Sequence, residues 1–130
     1  MFTKVLLIDG DKDLIKILSH ILSAQGLELI SRESGHEGLE LLNSDYDFDN
    51  LALIIIERNL PDMDGISLVG LCAQKFQRKV PIVFLSELSS DRDIIEGLRS
   101  GAIGYIAKPF NLDIFIEKVR SIISWRNTNL

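Results

Sequence analysis

Short apolar runs recur along the chain, each followed by a stretch whose apolar residues return at helical spacing. The clearest run is Leu51-Ala-Leu-Ile-Ile-Ile56. A strand with one wet face alternates apolar and polar residues, so a run without alternation reads as a strand covered on both faces. The architecture that covers both faces is a parallel sheet with helices packed above and below it. The runs are also far shorter than the ~20 apolar residues a membrane-crossing helix needs.

The same alternation can be followed from end to end. Residues 3–8 form a first strand, closed by the polar cluster Asp9-Gly-Asp-Lys-Asp13. From Asp13 onward, Leu14, Ile15, Ile17, Leu18, Ile21 and Leu22 mark a helix, with Gly26 at the position of a C-cap. Leu27–Ser31 is a short second strand, and Ser34-Gly-His-Glu37 has the form of a capping box opening a helix through Leu39, Leu41 and Leu42. Leu51–Ile56 is the third strand, and a helix from Ile66 to Phe76 follows the turn at Gly65. Val80–Leu85 is the fourth strand, with Pro81 tolerable only near its start. Ser89-Ser-Asp-Arg-Asp93 caps a helix that ends at Gly101, and Ile103–Ala107 is the fifth strand. A last helix from Leu112 to Arg126 carries Ile114, Phe115, Val119, Ile122 and Ile123 inward. Residues 1–126 therefore read as one domain and 127–130 as a polar tail. Five strands each followed by a helix, (βα)5, predict an α/β doubly wound parallel sheet with right-handed crossovers and strand order 2-1-3-4-5.

Composition narrows the function. With 130 residues, 46% of them apolar, the chain can build a real core without staples. The single cysteine, Cys72, excludes an internal disulfide and a cysteine metal cluster, and its apolar surroundings make it a core side chain. A net charge of −5 with scattered Lys and Arg lacks the basic stripe needed for direct nucleic-acid binding. No export signal opens the chain and no span is long enough for a membrane, so a cytoplasmic protein is expected. Asp9-x-Asp11-x-Asp13 opens like a calcium loop, but Leu14 and His20 stand where glycine and glutamate belong. No glycine-rich nucleotide loop is present, and His20 and His36 read as solvated helix positions. Asp62 and Asp64 read as turn formers.

In a sheet of this order the crevice lies at the carboxyl ends of the strands, beside the switch point between strands one and three. Asp9-Gly10-Asp11, Glu57-Arg58-Asn59, Ser86-Glu87 and Lys108-Pro109 fall there. An acidic loop after strand one, a carboxylate before Leu60-Pro-Asp-Met-Asp-Gly65, a hydroxyl after strand four and Lys-Pro after strand five: in this order the motifs resemble the receiver domains of response regulators. The resemblance covers essentially the whole chain and implies a flavodoxin-like (CheY-like) fold.

Receivers accept a phosphoryl group from a histidine kinase onto the strand-three aspartate, with Mg²⁺ neutralising charge on the transferring oxygens. By resemblance Glu57 holds the acceptor position, Lys108 and Ser86 would hold the phosphate, and Tyr105 is the switch aromatic. The Lys-Pro bond is typically cis in the family. The metal would fall to Asp9, Asp11, Glu57 and the Asn59 carbonyl.

Two positions depart from the family. Gly10 stands where a metal carboxylate belongs, and Asp11 sits one place late. Glu57 replaces the aspartate, carrying its carboxylate about 1.5 Å further out. In-line transfer loses on the order of a hundredfold for ~1 Å of misplacement. A degenerate receiver follows as the first expectation: a phosphorylation-independent interaction module in which Glu57 pairs with Lys108 and mimics the phosphorylated or salt-bridged state. The alternative is a working Mg²⁺-dependent phospho-acceptor that uses Asp9, Asp11 and Glu57. A flavodoxin-like enzyme is disfavoured, because no hydroxyl-rich phosphate loop follows strand one. Beyond any self-phosphorylation, no enzymatic activity is expected. Partners would be a histidine kinase or another signalling protein. A homodimer through the face of helix four, strand five and helix five stays open, since Ala102-Ile-Gly-Tyr105 lacks the acids often found there.

Overall fold

The computed structural model describes residues 2–129. Strands and helices alternate strictly: β1 (Thr3–Ile8), α1 (Lys12–Ala24), β2 (Leu27–Arg32), α2 (Gly35–Leu42), β3 (Leu51–Ile56), α3 (Ile66–Lys75), β4 (Ile82–Ser86), α4 (Asp91–Arg99), β5 (Gly104–Ala107) and α5 (Leu112–Asn129). All strand pairs are parallel and the order is β2-β1-β3-β4-β5, as the alternation of the sequence requires.

Strand periodicity divides the core into two layers. Leu6, Ile8, Ile54, Ile56, Ile82 and Phe84 face one side and pack on Leu41 and Leu42 of α2 and Leu68, Val69 and Cys72 of α3. Val5, Leu7, Leu53, Ile55, Val83 and Leu85 face the other, against Leu18 and Leu22 of α1 and Phe115, Val119 and Ile123 of α5. Each such side chain contributes roughly 1.5–3 kcal/mol by leaving water, which is why β3, buried along its whole length, anchors the sheet. Cys72 lies in the first layer, as its neighbours imply, and burial pushes its thiol pKa up to about 12.

The helix starts follow their caps. Asp11, Ser34 and Ser90 accept from the amides of Leu14, Glu37 and Asp93 at the first turns of α1, α2 and α4. Gly26, just beyond α1, has φ of 78°, a conformation that costs other residues roughly 1–2 kcal/mol. Pro81 falls just before β4 and contributes its carbonyl, which accepts from Ile54 N at 2.9 Å.

Two expectations are corrected. The polar residues after Arg126 continue α5 through Asn129, while Leu130 lies outside the described residues. Polarity decides which face of a helix is wet; a helix ends only where glycine, proline or a cap ends it, and Asn127-Thr128-Asn129 offers none of these. Ile114, expected inward, is 58% exposed. The buried stripe of α5 steps by four from Phe115 to Val119 to Ile123, and Ile114 lies one residue off it.

Past α3, Gln77 and Arg78 both adopt positive φ (53° and 59°) without being glycine. Replacing Gln77 with glycine is expected to raise stability by up to about 1 kcal/mol, the left-handed cost exceeding the added chain entropy. Urea unfolding measures the gain.

Candidate functional site

Register brings the first two acids together. β1 and β3 are neighbours with Ile8 opposite Ile56, so Asp9 and Glu57 leave the sheet side by side, and Glu57 N donates to Ile8 O at 2.9 Å. Lys108 follows β5, its amide donating to Ser86 O at 2.9 Å, and the Lys108-Pro109 bond is cis, as the family pattern implies. The lysine side chain spans β4 to reach both acids. Its Nζ donates to Asp9 Oδ2 at 2.7 Å and to Glu57 Oε1 at 3.3 Å. Asp9 and Glu57 are only 2% and 5% exposed. They floor an open crevice of about 410 Å³ whose walls include Gly10, Asp11, Asn59 and Glu87.

The electrostatics follow from counting charges. Burial pushes the Asp9 carboxyl above its ordinary range, against the hydrogen bonds it accepts from Lys108 and from the Asp11 amide. Burial also works against the Lys108 ammonium, but Asp9 and Glu57 outweigh it and raise its pKa. Both shifts are upward, disfavouring charge on Asp9 and favouring it on Lys108, and they express one imbalance: two carboxylates share one ammonium, so the lysine is over-compensated and an acid is left short. Lys108 therefore stays charged at neutral pH. Glu57 Oε2 is buried with no hydrogen-bond partner among the described residues.

The other expected site residues divide. Asp11 and Asn59 line the crevice. The Asp11 carboxylate, however, caps α1 by accepting from Leu14 N at 3.1 Å. Ser86 is fully buried, its hydroxyl accepts from Leu88 N at 3.0 Å, and it is absent from the crevice walls. Strand alternation explains this: Ser86 continues the face of Phe84, whereas Asp9, Glu57 and Lys108 continue the faces of Leu7, Ile55 and Ile106. Tyr105 packs its ring on Phe84 at 5.5 Å and donates its hydroxyl to Leu88 O. Its neighbour Gly97 makes that possible, since a Cβ there would stand 2.7 Å from the ring.

Two residues have roles the sequence did not announce. Arg58 is buried and pairs through Nε and Nη2 with Asp64 at 3.1 and 2.8 Å. Asp62 accepts from Gly35 N and His36 N, both at 2.8 Å, so it caps α2 from the β3–α3 loop. Glu87 adds a carboxylate to the crevice rim, where the sequence places it. A Ser-x-x-Glu box accounted for the start of α2, which left no cue that a second cap was needed.

Asp64 supplies a pH test. Its hydrogen bonds with Arg58 hold its pKa below the ordinary 3.8, so the folded chain binds that proton less tightly than the unfolded one. The stabilisation is thus fully present above pH 3.8 and is lost as pH falls through the lower folded value. The stability gap between the parent protein and Asp64→Asn is expected to shrink steadily below pH 3.8 in an acid titration followed by circular dichroism.

The residues fit a divalent cation poorly. Both Asp9 oxygens are engaged, by Asp11 N and by Lys108, and Asp11 is turned to its cap. A Cβ at Gly10 would meet Glu33 O at 3.2 Å and Pro61 Cγ at 3.3 Å, so even the missing ligand has little room. Among the described residues no three acidic, histidine or cysteine side chains are grouped to hold a metal. The crevice cation is the chain's own lysine.

A doubly wound sheet with paired acids and a lysine at its switch point defines a class, the flavodoxin-like domains with an acidic crevice at the carboxyl edge. A family model described as "Response regulator receiver domain" matches residues 5–120, and the chain belongs to that family. It is 30% identical over 120 residues to the transcriptional regulatory protein CpxR of Escherichia coli strain K12, covering 92% of this chain and 49% of that protein. It is 31% identical over the same length to the cell cycle response regulator CtrA of Brucella ovis, covering 92% and 50%. The chain thus spans about half the length of these relatives. Among solved structures, a two-component response regulator from Clostridium difficile superposes with a TM-score of 0.78 at 33% identity, covering 98% of this chain and 99% of that one. A CheY-like receiver domain from Methanospirillum hungatei reaches 0.87 over the whole of both chains, and at 23% identity it speaks for the fold alone. Receiver domains are signalling modules of two-component systems that interact with histidine kinases and other signalling proteins. No helix among the described residues is long and apolar enough to cross a membrane.

Proposed function

We propose that this receiver domain works as a phosphorylation-independent interaction module, the floor of its crevice held by the Glu57–Lys108–Asp9 cluster. The observation that carries the reading is the position of the Lys108 ammonium, between Glu57 Oε1 at 3.3 Å and Asp9 Oδ2 at 2.7 Å. The longer acid reaches the lysine through Oε1 without phosphate or metal, while its Oε2 stays unpaired. The partner face is the one formed by α4, β5 and α5, where Ile95, Leu98, Ile103 and Ile114 are exposed and a groove of about 700 Å³ runs between β5 and α5. A signalling protein in the cytoplasm is the partner class, a second copy of the chain included, and no catalytic activity is assigned. Incubation with acetyl phosphate and Mg²⁺, followed by intact-mass measurement, tests the reading. No added phosphate is expected, and stoichiometric labelling at Glu57 overturns it.

A second reading, a working phospho-acceptor, draws on the unpartnered Oε2 of Glu57. A free carboxylate oxygen beside Lys108 is the atom such an acceptor needs. The same labelling experiment decides between the two.

A further inference from the structure

We infer that Arg58 is the positioning residue that carries the state of the acidic crevice to α4 and to the partner face beside it. Arg58 follows Glu57 directly, and strand alternation sends the two side chains to opposite sides of the sheet. On its side Arg58 is 3% exposed, and its guanidinium makes a three-way junction. Nε and Nη2 donate to the two carboxylate oxygens of Asp64, Nη1 donates to Asp93 O at 2.8 Å, and Nη2 also lies 3.3 Å from Glu96 Oε2. Asp93 and Glu96 both belong to α4.

The junction matters because α4 is lightly held. Gly97 is its one fully buried residue among those described, while Ile95 and Leu98 face solvent. Elements with so little apolar burial lie at the low end of local stability and move first. A planar guanidinium with donors in fixed directions cannot follow a rotation of its own backbone without pulling on each acceptor. A shift of Glu57 at the end of β3 therefore reaches α4 through the next residue in the chain. Tyr105 lies close by, its hydroxyl donating to Leu88 O while the Leu88 amide donates to the Ser86 hydroxyl. This explains how a fully buried Ser86 and a crevice on the other side of the sheet can bear on one surface.

The inference deepens the reading of a fixed crevice by naming the route to its partner face, and it holds whether or not Glu57 accepts phosphate. Native-state hydrogen exchange on the full chain tests it with Arg58→Met, Glu57→Ala and the double variant. Asp64 and Glu96 keep side-chain exposures of 42% and 44%, so water can take over their carboxylates and Arg58→Met should fold. In Arg58→Met, exchange across α4 is expected to rise about tenfold or more while β1 and β3 stay protected. Glu57→Ala is expected to loosen α4 as well, and the double variant to loosen it no further than Arg58→Met alone. Arg58→Lys, which keeps the charge but loses the fork, is expected to behave like Arg58→Met. Unchanged exchange in α4, a uniform rise over the whole domain, or strictly additive effects in the double variant would each overturn the inference. If Arg58→Met does not fold, Asp64→Asn with Glu96→Gln reads the same junction from its other end. Phosphate labelling at Glu57 would sink the phosphorylation-independent reading and leave these exchange results standing.

Discussion

Replacing Lys108 with methionine is expected to cost about 3–5 kcal/mol of folding stability at neutral pH, the usual loss when one member of a buried charged cluster is removed. Asp9 and Glu57 would then lie side by side, almost fully buried, with no cation between them. The loss comes mainly from the abandoned acids, and this gives it a signature. As pH falls the Asp9 carboxyl, its pKa already raised by burial, takes up a proton, part of the uncompensated charge disappears, and the gap from the parent protein narrows. Urea unfolding at pH 7 and again near pH 5 measures both effects. Adding Glu57→Gln to Lys108→Met should recover part of the loss at pH 7, because one buried charge is gone. A small cost that does not vary with pH would mean that Lys108 is held by water and not by the acids.

Gly65→Ala is the second large effect, and its cause is purely steric. The glycine has φ −58° and ψ −19°, a conformation open to any residue, so no backbone preference demands it. Space does. A Cβ would stand 2.1 Å from Glu57 O and 2.7 Å from Ile56 Cγ2, and both atoms belong to the end of the central strand. Backbone cannot swing aside as the tip of a flexible side chain can. A loss of about 3 kcal/mol is expected, at the upper end for overpacking. It should appear as a fall of roughly 10 °C in the thermal midpoint. Gly70→Ala is the control: nothing lies within 4 Å of its would-be Cβ, and as a residue inside α3 it should gain about 0.5–1 kcal/mol. Opposite signs from two glycines five positions apart would locate the strain at the Glu57 carbonyl.

The fold was legible because its strands are written as unbroken apolar runs. Leu51–Ile56 could be nothing but a central strand, and the strand order followed from placing it beside the first run. The meeting of Asp9, Glu57 and Lys108 was legible for the same reason, since ends of adjacent parallel strands fall at one edge of the sheet. What stayed hidden depends on which face a side chain takes after its strand ends. Ser86 was grouped with Lys108 by position, yet one step of alternation puts it with Tyr105 across the sheet. Arg58 was placed at the crevice beside Glu57, and the same alternation carries its side chain to the other face, out of the crevice walls. Its partners Asp93 and Glu96 are 35 and 38 residues further on, and no local pattern announces a contact at that range. Ile114 was misplaced because it was assigned inward together with Phe115, Val119, Ile122 and Ile123, while the stripe that packs is narrower than that set.

The ammonium between Asp9 and Glu57 is covalently part of the polypeptide. A tethered counter-ion cannot be chelated, diluted or outcompeted at ordinary salt, so dialysis against EDTA should leave the domain's spectrum and stability unchanged. On the proposed reading the domain's stability is therefore expected not to respond to added Mg²⁺, although Asp11 and Glu87 keep the crevice acidic.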